Sequence, residues 1–299
     1  MGHLATIIPV IRQRHLPVSR DQAILLMAAF NEFMLGLDTY LAHVLNNTIL
    51  LREWIPILFG AVSGILLLAA GLIAIKNRTL ASWIATFVFV SSIIVGVLGA
   101  YFHFVRGTLP TAPAGSRVTL QLLIWAPPIL APFAFAGVGV VGLSAAWREE
   151  PVNSGIVRMP FAAIQLPYSK TRGYFFLVSF GILAALISSV LDHARTGFEN
   201  PWLWLPLAVG VFATVVSSGI GGVKGKLSRG DIWTYTGAMV LLILVGMLGT
   251  WFHVQANLVG TSTIVAERFL RGAPFLSPLL YANMGLIGLL VLLPAEEDR

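Results

Sequence analysis

Cysteine is absent from this 299-residue sequence, and charged residues are scarce. Without cysteine the chain has no disulfides, thiolate metal sites or iron–sulfur clusters, so histidine and carboxylate are its strong metal ligands. Only 11% of the residues are charged whereas 57% are hydrophobic, a balance that is not typical of a soluble domain. We therefore expect the chain to lie in a lipid bilayer.

Motifs of the common soluble enzymes are also lacking. The sequence has no nucleophile elbow, Walker loop, dinucleotide fingerprint or zincin motif. The net charge of +6 comes from basic residues dispersed in short loops, without a basic stripe, so nucleic acid is not an expected partner. Whether the chain is an enzyme stays open on these grounds.

Apolar stretches long enough to cross a bilayer recur along the whole chain. A spanning helix needs about 20 mostly apolar residues, because the hydrocarbon core is roughly 30 Å thick. We place eight such helices at residues 22–46, 54–76, 80–105, 121–146, 173–195, 202–223, 232–255 and 274–293. The expected fold class is an all-α membrane protein with eight transmembrane helices.

The distribution of lysine predicts the orientation of these helices. Cytoplasmic loops carry an excess of Lys and Arg. If the N-terminus is cytoplasmic and the eight spans alternate, every lysine falls on the cytoplasmic side: Lys76, Lys170, Lys224 and Lys226. We therefore expect a multi-pass protein with both termini in the cytoplasm, and we interpret the membrane as the bacterial inner membrane.

The second half of the chain repeats the first. A shift of 150 residues aligns Trp54/Trp204, Pro56/Pro206, Gly60/Gly210, Gly96/Gly246 and Gly99/Gly249. A shift of 146 aligns the fourth helices through Pro128/Pro274, Pro132/Pro278, Ala136/Ala282 and Gly139/Gly285. Because each unit has an even number of spans, both insert in the same orientation. We expect two tandem four-helix bundles, residues 1–146 and 173–299, joined by a cytoplasmic connector, 147–172.

Four histidines follow the same 150-residue shift: His43, His103, His193 and His253. In each half one histidine is near the outer end of the first helix and the other near the outer end of the third. These two helices sit diagonally in an up-down-up-down bundle, so side chains at equal depth face each other across the core. The sequence therefore predicts one pair of facing imidazoles in each half.

A facing pair of imidazoles suits the iron of haem b, which takes one from each side. The macrocycle needs small side chains beside its ligands, and the residue one turn before each histidine is small: Thr39, Gly99, Ser189 and Gly249. The haem propionates favour arginine, whose fork pairs with carboxylates. Arg106 and Arg195 each follow a histidine closely. We predict two haem b groups contacted by Gly99, Gly249, Arg106 and Arg195.

Two other interpretations of the histidines remain open. They could bind copper or another transition metal, with Asp38 or Asp192 as an oxygen ligand. They could also bind nothing, because amphipathic residues gather at helix ends and glycines are common where membrane helices pack closely. The chain would then be a transporter, with the histidines as polar lining, or a structural subunit of a larger membrane complex.

Glu32 is a further candidate site residue. It precedes His43 by eleven residues, so it shares that face of the helix about 16 Å deeper in the membrane. Its counterpart in the second half is Ile182. A carboxyl group at that depth is costly, which favours a role in proton uptake or in contact with quinone or substrate. The alternative is a protonated Glu32 hydrogen-bonded to a neighbouring helix.

The eight-helix plan, with His43/His103 and His193/His253, resembles membrane haem b proteins built from four-helix bundles. It is most similar to the haem A synthase family, which also has two fused halves with a histidine pair in each. In that family the ligands lie on even-numbered helices and the first outer loop carries a distinctive glutamate and cysteine, so the resemblance implies the plan and not the reaction. We hypothesise a di-haem b electron-transfer subunit that exchanges electrons laterally with quinone or a periplasmic redox partner.

Overall fold

The computed structural model describes residues 18–44, 49–260 and 263–295, which are mainly helical. The helices are α1 Arg20–Val44, α2 Trp54–Ile73, α3 Arg78–Arg106, α4 Leu120–Trp125, α5 Leu130–Ala146, α6 Lys170–Ala194, α7 Trp204–Gly222, α8 Arg229–Leu258, α9 Ala266–Arg271 and α10 Leu279–Val291. Three short strands, β1 Arg148–Glu149, β2 Ile156–Arg158 and β3 Ala163–Gln165, lie between α5 and α6.

Helix length and composition place the protein in a membrane. Among the described residues, α1, α2, α3, α6, α7 and α8 are each long and apolar enough to cross a bilayer. A seventh span is formed if residues 114–125 and α5, which meet at an angle of 79°, are counted together. These helices indicate an integral multi-pass α-helical membrane protein, as the composition predicts.

The fourth helix of each half differs from the sequence prediction. The continuous helix expected at 121–146 is wrong, because α4 ends at Trp125 and α5 begins only at Leu130. The helix expected at 274–293 is confined to the 13 residues of α10. Prolines lie in the gap before α5 and in the segment before α10. Proline has no N–H to donate to a helical hydrogen bond, and its ring clashes with the preceding turn.

The helices of each half pack in a ring. In the first half α1 and α3 each contact α2 and α5, and in the second half α6 and α8 each contact α7 and α10. The helices that carry the histidines are therefore diagonal neighbours, as predicted. The halves meet where α5 packs on α6 and where α10 packs on α1.

In each half two helices approach until their backbones touch: α3 and α5 in the first half, and α8 and α10 in the second. A Cβ atom at Gly96 would lie 2.5 Å from the amide nitrogen of Ala136, and one at Gly246 would lie 2.6 Å from that of Ala282. Real Cβ atoms do not come so close to backbone, so only glycine allows this separation. Small residues have this role at many membrane helix interfaces.

Buried charges join the two halves at the end opposite the histidines. The Nζ atom of Lys170 lies 2.5 Å from Oδ2 of Asp21, and Nη1 of Arg20 donates to Oγ1 of Thr171 at 2.6 Å. The 150-residue shift aligns Arg20 with Lys170 and Asp21 with Thr171. The two contacts are therefore related as in an isologous dimer interface, where each partner supplies the same positions.

The connector contains a small sheet that the sequence prediction missed. Strands β1, β2 and β3 form an antiparallel meander in which Val157 pairs with Glu149 on one side and Ile164 on the other. Oε1 of Glu149 accepts the backbone N–H groups of Gly155 at 2.8 Å and Lys170 at 2.9 Å. The connector is thereby attached to the first turn of α6.

Candidate functional site

The structure brings the four predicted histidines together in two pairs. The ring centroids of His43 and His103 are 6.2 Å apart, and those of His193 and His253 are 6.3 Å apart. Each pair joins the C-terminal ends of two diagonal helices, α1 with α3 and α6 with α8. All four side chains are half-buried. His3 and His15 lie outside the described residues.

The separation within each pair has a chemical meaning. An imidazole nitrogen bound to a metal ion lies about 2.0–2.1 Å from it, so two rings on opposite sides of one ion have centroids about 6 Å apart. Both histidine pairs have this separation. Their ring planes are inclined by 49° and 87°, so neither pair is a parallel stack.

Backbone carbonyls orient one histidine of each pair. Nδ1 of His103 lies 3.0 Å from the carbonyl oxygen of Pro128, and Nδ1 of His253 lies 2.9 Å from that of Pro274. A carbonyl only accepts, so Nδ1 carries the hydrogen and the lone pair of Nε2 is left for another partner. Metal-ligating histidines are held in this way, with the second nitrogen donating to a carbonyl or carboxylate.

The other two histidines are held differently from each other. Nδ1 of His43 donates to the carbonyl oxygen of Thr39 in its own helix at 2.8 Å, which again leaves Nε2 free. The rings of His193 and Phe198 pack edge to face at a centroid distance of 6.4 Å. Phe198 in turn packs on Trp204 at the start of α7.

Paired prolines make the orienting carbonyls available. In a helix the carbonyl of Pro128 would accept from the residue four positions later, but that residue is Pro132, which has no N–H. The carbonyl accepts a long bond of 3.2 Å from Ala131, and its remaining lone pair faces His103. Pro274 and Pro278 repeat this arrangement. In the sequence, the sign of this arrangement was the equal spacing of the two prolines in both halves. From the sequence alone, these prolines indicate only a bend of the helix.

Gly99 and Gly249 have a packing role. A Cβ atom at Gly99 would lie 2.7 Å from Cβ of Pro132, and one at Gly249 would lie 2.9 Å from Cβ of Pro278. The glycines therefore let α3 and α8 contact the prolines that free the orienting carbonyls. Helix packing accounts for both glycines, and their contact with a cofactor stays a prediction.

The two candidate arginines have different surroundings. Arg106 is half exposed, and its Nη1 lies 3.8 Å from Oε1 of Glu53. Arg195 donates to the carbonyl oxygens of Ile124 at 2.7 Å and Ala126 at 3.0 Å, at the end of α4. Arg195 thus ties the second half to the first at the histidine end. A role of either arginine with propionates stays a prediction.

The described residues provide no larger cluster of metal ligands. Within residues 18–44, 49–260 and 263–295, no group of three or more His, Cys, Asp or Glu side chains could hold a metal ion. Asp38 and Asp192 therefore do not extend either histidine pair into a three-ligand site. A site with three or four protein ligands, which zinc usually requires, is not formed in this part of the chain.

Glu32 lies apart from the histidines, in the interior of the first half. Its side chain is fully buried, and its two carboxyl oxygens contact Oγ of Ser92 at 2.5 Å and Oγ of Ser63 at 3.2 Å. The sequence did not reveal these partners, because they come from helices 31 and 60 residues away. The carboxyl group has no exposed surface on which a quinone could bind.

Known proteins provide no assignment for this arrangement of helices and histidines. The geometry of the side chains therefore carries the functional argument. No family model matches the sequence, and no curated protein and no solved structure matches the chain.

Proposed function

We propose that the chain is an integral membrane di-haem b electron-transfer subunit. His43 with His103 would hold one haem iron, and His193 with His253 the other. The observation that carries the proposal is the pair of nearly equal ring separations, 6.2 Å and 6.3 Å, at positions related by the 150-residue shift. An internal repeat reproduces any contact in both halves, so the support comes from the value of the separation, which fits one metal ion between the two rings and is kept in both halves.

The number of protein ligands favours haem over a bare metal ion. Haem iron receives four nitrogens from its macrocycle and needs only one axial ligand on each side. Zinc and comparable ions take three or four ligands from the protein. Each half offers two imidazoles, and the described residues contain no group of three or more metal-ligating side chains.

The residues around each pair have definable tasks in this proposal. The Pro128 and Pro274 carbonyls orient one imidazole per pair and increase its basicity through the Nδ1–H bond. Arg106 is better placed for a propionate than Arg195, which already donates to two carbonyls. A bound haem would supply one-electron chemistry, while the protein sets the position and exposure of the iron.

The proposal includes the topology. Eight spans in two parallel halves would place both termini in the cytoplasm of a bacterial cell, with α4/α5 and α10 completing the fourth span of each bundle. The contacts of Lys170 with Asp21 at one end and of Arg195 with Ala126 at the other support a common orientation of the halves. Two haems at one end favour lateral transfer between quinone and a periplasmic redox partner. Such a plan would resemble that of the haem A synthase family.

An absorption spectrum tests the proposal. Protein purified after expression with ample haem should show a Soret band and, in the reduced-minus-oxidised difference spectrum, an α band. His15→Ala, which changes a histidine outside the pairs, should leave both bands unchanged, and the double variant His103→Ala/His253→Ala should lose them. Absence of both bands from the unmodified protein would contradict the proposal, and metal analysis would then test copper, zinc and iron.

A further inference from the structure

The carboxyl group of Glu32, together with the two serines that contact it, links all four helices of the first bundle. Glu32 belongs to α1, and its oxygens contact Ser63 of α2 and Ser92 of α3. The Ser92 hydroxyl also contacts the carbonyl oxygen of Phe135 in α5 at 2.8 Å, and the Ser63 hydroxyl that of Gly60 at 3.1 Å. Glu32, Ser63 and Ser92 are called the carboxyl triad below.

Among the described residues of these four helices, no other ionisable side chain lies at the level of Glu32. Helices α2 and α5 contain none, and those of α3 lie at its two ends, Arg78 at one and Tyr101, His103 and Arg106 at the other. Along α1 the nearest are Asp38, six residues away, and Asp21, eleven residues away. The described helices of this bundle therefore place no cation beside the carboxyl group to balance a negative charge.

The two contacts of Ser92 require one more hydrogen than its hydroxyl supplies. Each hydroxyl has a single hydrogen and contacts two oxygens, a carboxyl oxygen of Glu32 and a backbone carbonyl. A protonated Glu32 donates to Oγ of Ser92, and Ser92 can then donate to Phe135. The 2.5 Å contact of Glu32 with Ser92 is at the short end of the O–H···O range.

The second bundle is built without these polar groups. The 150-residue shift places Ile182, Ala213 and Leu242 at the positions of Glu32, Ser63 and Ser92. All three apolar residues are fully buried, as the carboxyl triad is. Since the same helix arrangement forms with three apolar residues, the first bundle does not need the triad for its packing, and a buried polar group is costly to keep.

We propose that the carboxyl triad is a proton-binding site at the centre of the first bundle. Glu32 binds one proton as a neutral carboxylic acid, Ser92 accepts its hydrogen bond, and Ser63 donates to the second carboxyl oxygen. Oxygens that share a Na⁺ or Ca²⁺ ion are each about 2.3–2.6 Å from it and hence about 3 Å or more apart, so the short contact favours a proton over a metal cation. Proton binding by the carboxyl triad involves neither the histidine pairs nor haem.

Infrared spectroscopy of the full chain in lipid vesicles at neutral pH tests this site. The C=O stretch of a protonated carboxyl group should be present, should shift in D₂O, and should shift again when glutamate is labelled with ¹³C at its carboxyl carbon. Glu32→Gln should remove the band completely, and Glu267→Gln, a change at an exposed glutamate, should leave it intact. The labelling arm uses the unchanged sequence and does not depend on the folding of a variant.

A second variant places the three apolar residues of the second bundle at the positions of the carboxyl triad. Glu32→Ile/Ser63→Ala/Ser92→Leu copies the second bundle, so it should fold with unchanged helicity and lack the band. A band that is absent from the unmodified protein, insensitive to the glutamate label or retained in Glu32→Gln would overturn the proposal. A band that appears only when choline replaces sodium would identify a cation site and overturn it as well.

Discussion

His103 donates its Nδ1 hydrogen to the carbonyl of Pro128 at 3.0 Å, and the residue that would compete for this carbonyl in a helix, Pro132, has no N–H. The same relationship holds between His253 and Pro274, with a distance of 2.9 Å. An imidazole held in this way keeps its Nε2 lone pair for a ligand. The proline pairs therefore orient the histidines in addition to bending the helices.

Pro132→Ala should weaken the first histidine site. Alanine supplies an N–H that competes with His103 for the Pro128 carbonyl, and loss of such a supporting hydrogen bond typically costs about 10–100-fold in metal affinity. Haem retention during dialysis against apomyoglobin measures the effect. Pro278→Ala should weaken the second site alone. Retention equal to that of the unmodified protein in both variants would show that these carbonyls do not tune the histidines.

Gly139→Ala should destabilise the first bundle. A Cβ atom at Gly139 would lie 2.6 Å from the carbonyl oxygen of Phe89, so α3 and α5 must separate, at a typical cost of about 1–3 kcal/mol for an overpacked core. Thermal unfolding in detergent measures the loss. The matched control is Gly137→Ala on the same helix, where a Cβ atom meets nothing within 4 Å. Equal effects of the two changes would contradict the packing described for this interface.

Asp21→Ala should weaken the junction between the halves. The change leaves the buried Nζ of Lys170 without its carboxylate and removes the partner of Nε of Arg20, which lies 3.1 Å from Asp21. Removing one member of a buried ion pair typically costs about 3–5 kcal/mol. Thermal unfolding again gives the measurement. Glu267→Ala breaks an exposed pair with Arg271 and should have little effect; a similar small effect of Asp21→Ala would argue against a stabilising junction.

The sequence predicted the features that depend on the length of the apolar stretches and on the internal repeat. Long apolar stretches identified the helices that correspond to α1, α2, α3, α6, α7 and α8. The diagonal placement of the first and third helices predicted that His43 faces His103, because diagonal helices of a ring bring side chains at equal depth together. The sequence did not predict that α4 ends at Trp125 or that α10 has only 13 residues.

Contacts between distant residues could not be predicted in the same way. Ser63 and Ser92 are ordinary residues of apolar helices, and nothing local marks them as partners of Glu32. Arg195 follows a histidine in the sequence, yet its guanidinium donates to carbonyls 69 and 71 residues away. The sheet of the connector has strands of two or three residues, too short for an alternating pattern to show.

The ratio of haem to polypeptide in histidine variants tests the central claim most directly. A pyridine haemochrome assay should give two haems per chain in the unmodified protein, one in His103→Ala, one in His253→Ala and none in the double variant. A single variant that loses both haems would show one shared site in place of two. Unmodified protein that contains no haem after expression with ample haem would contradict the account.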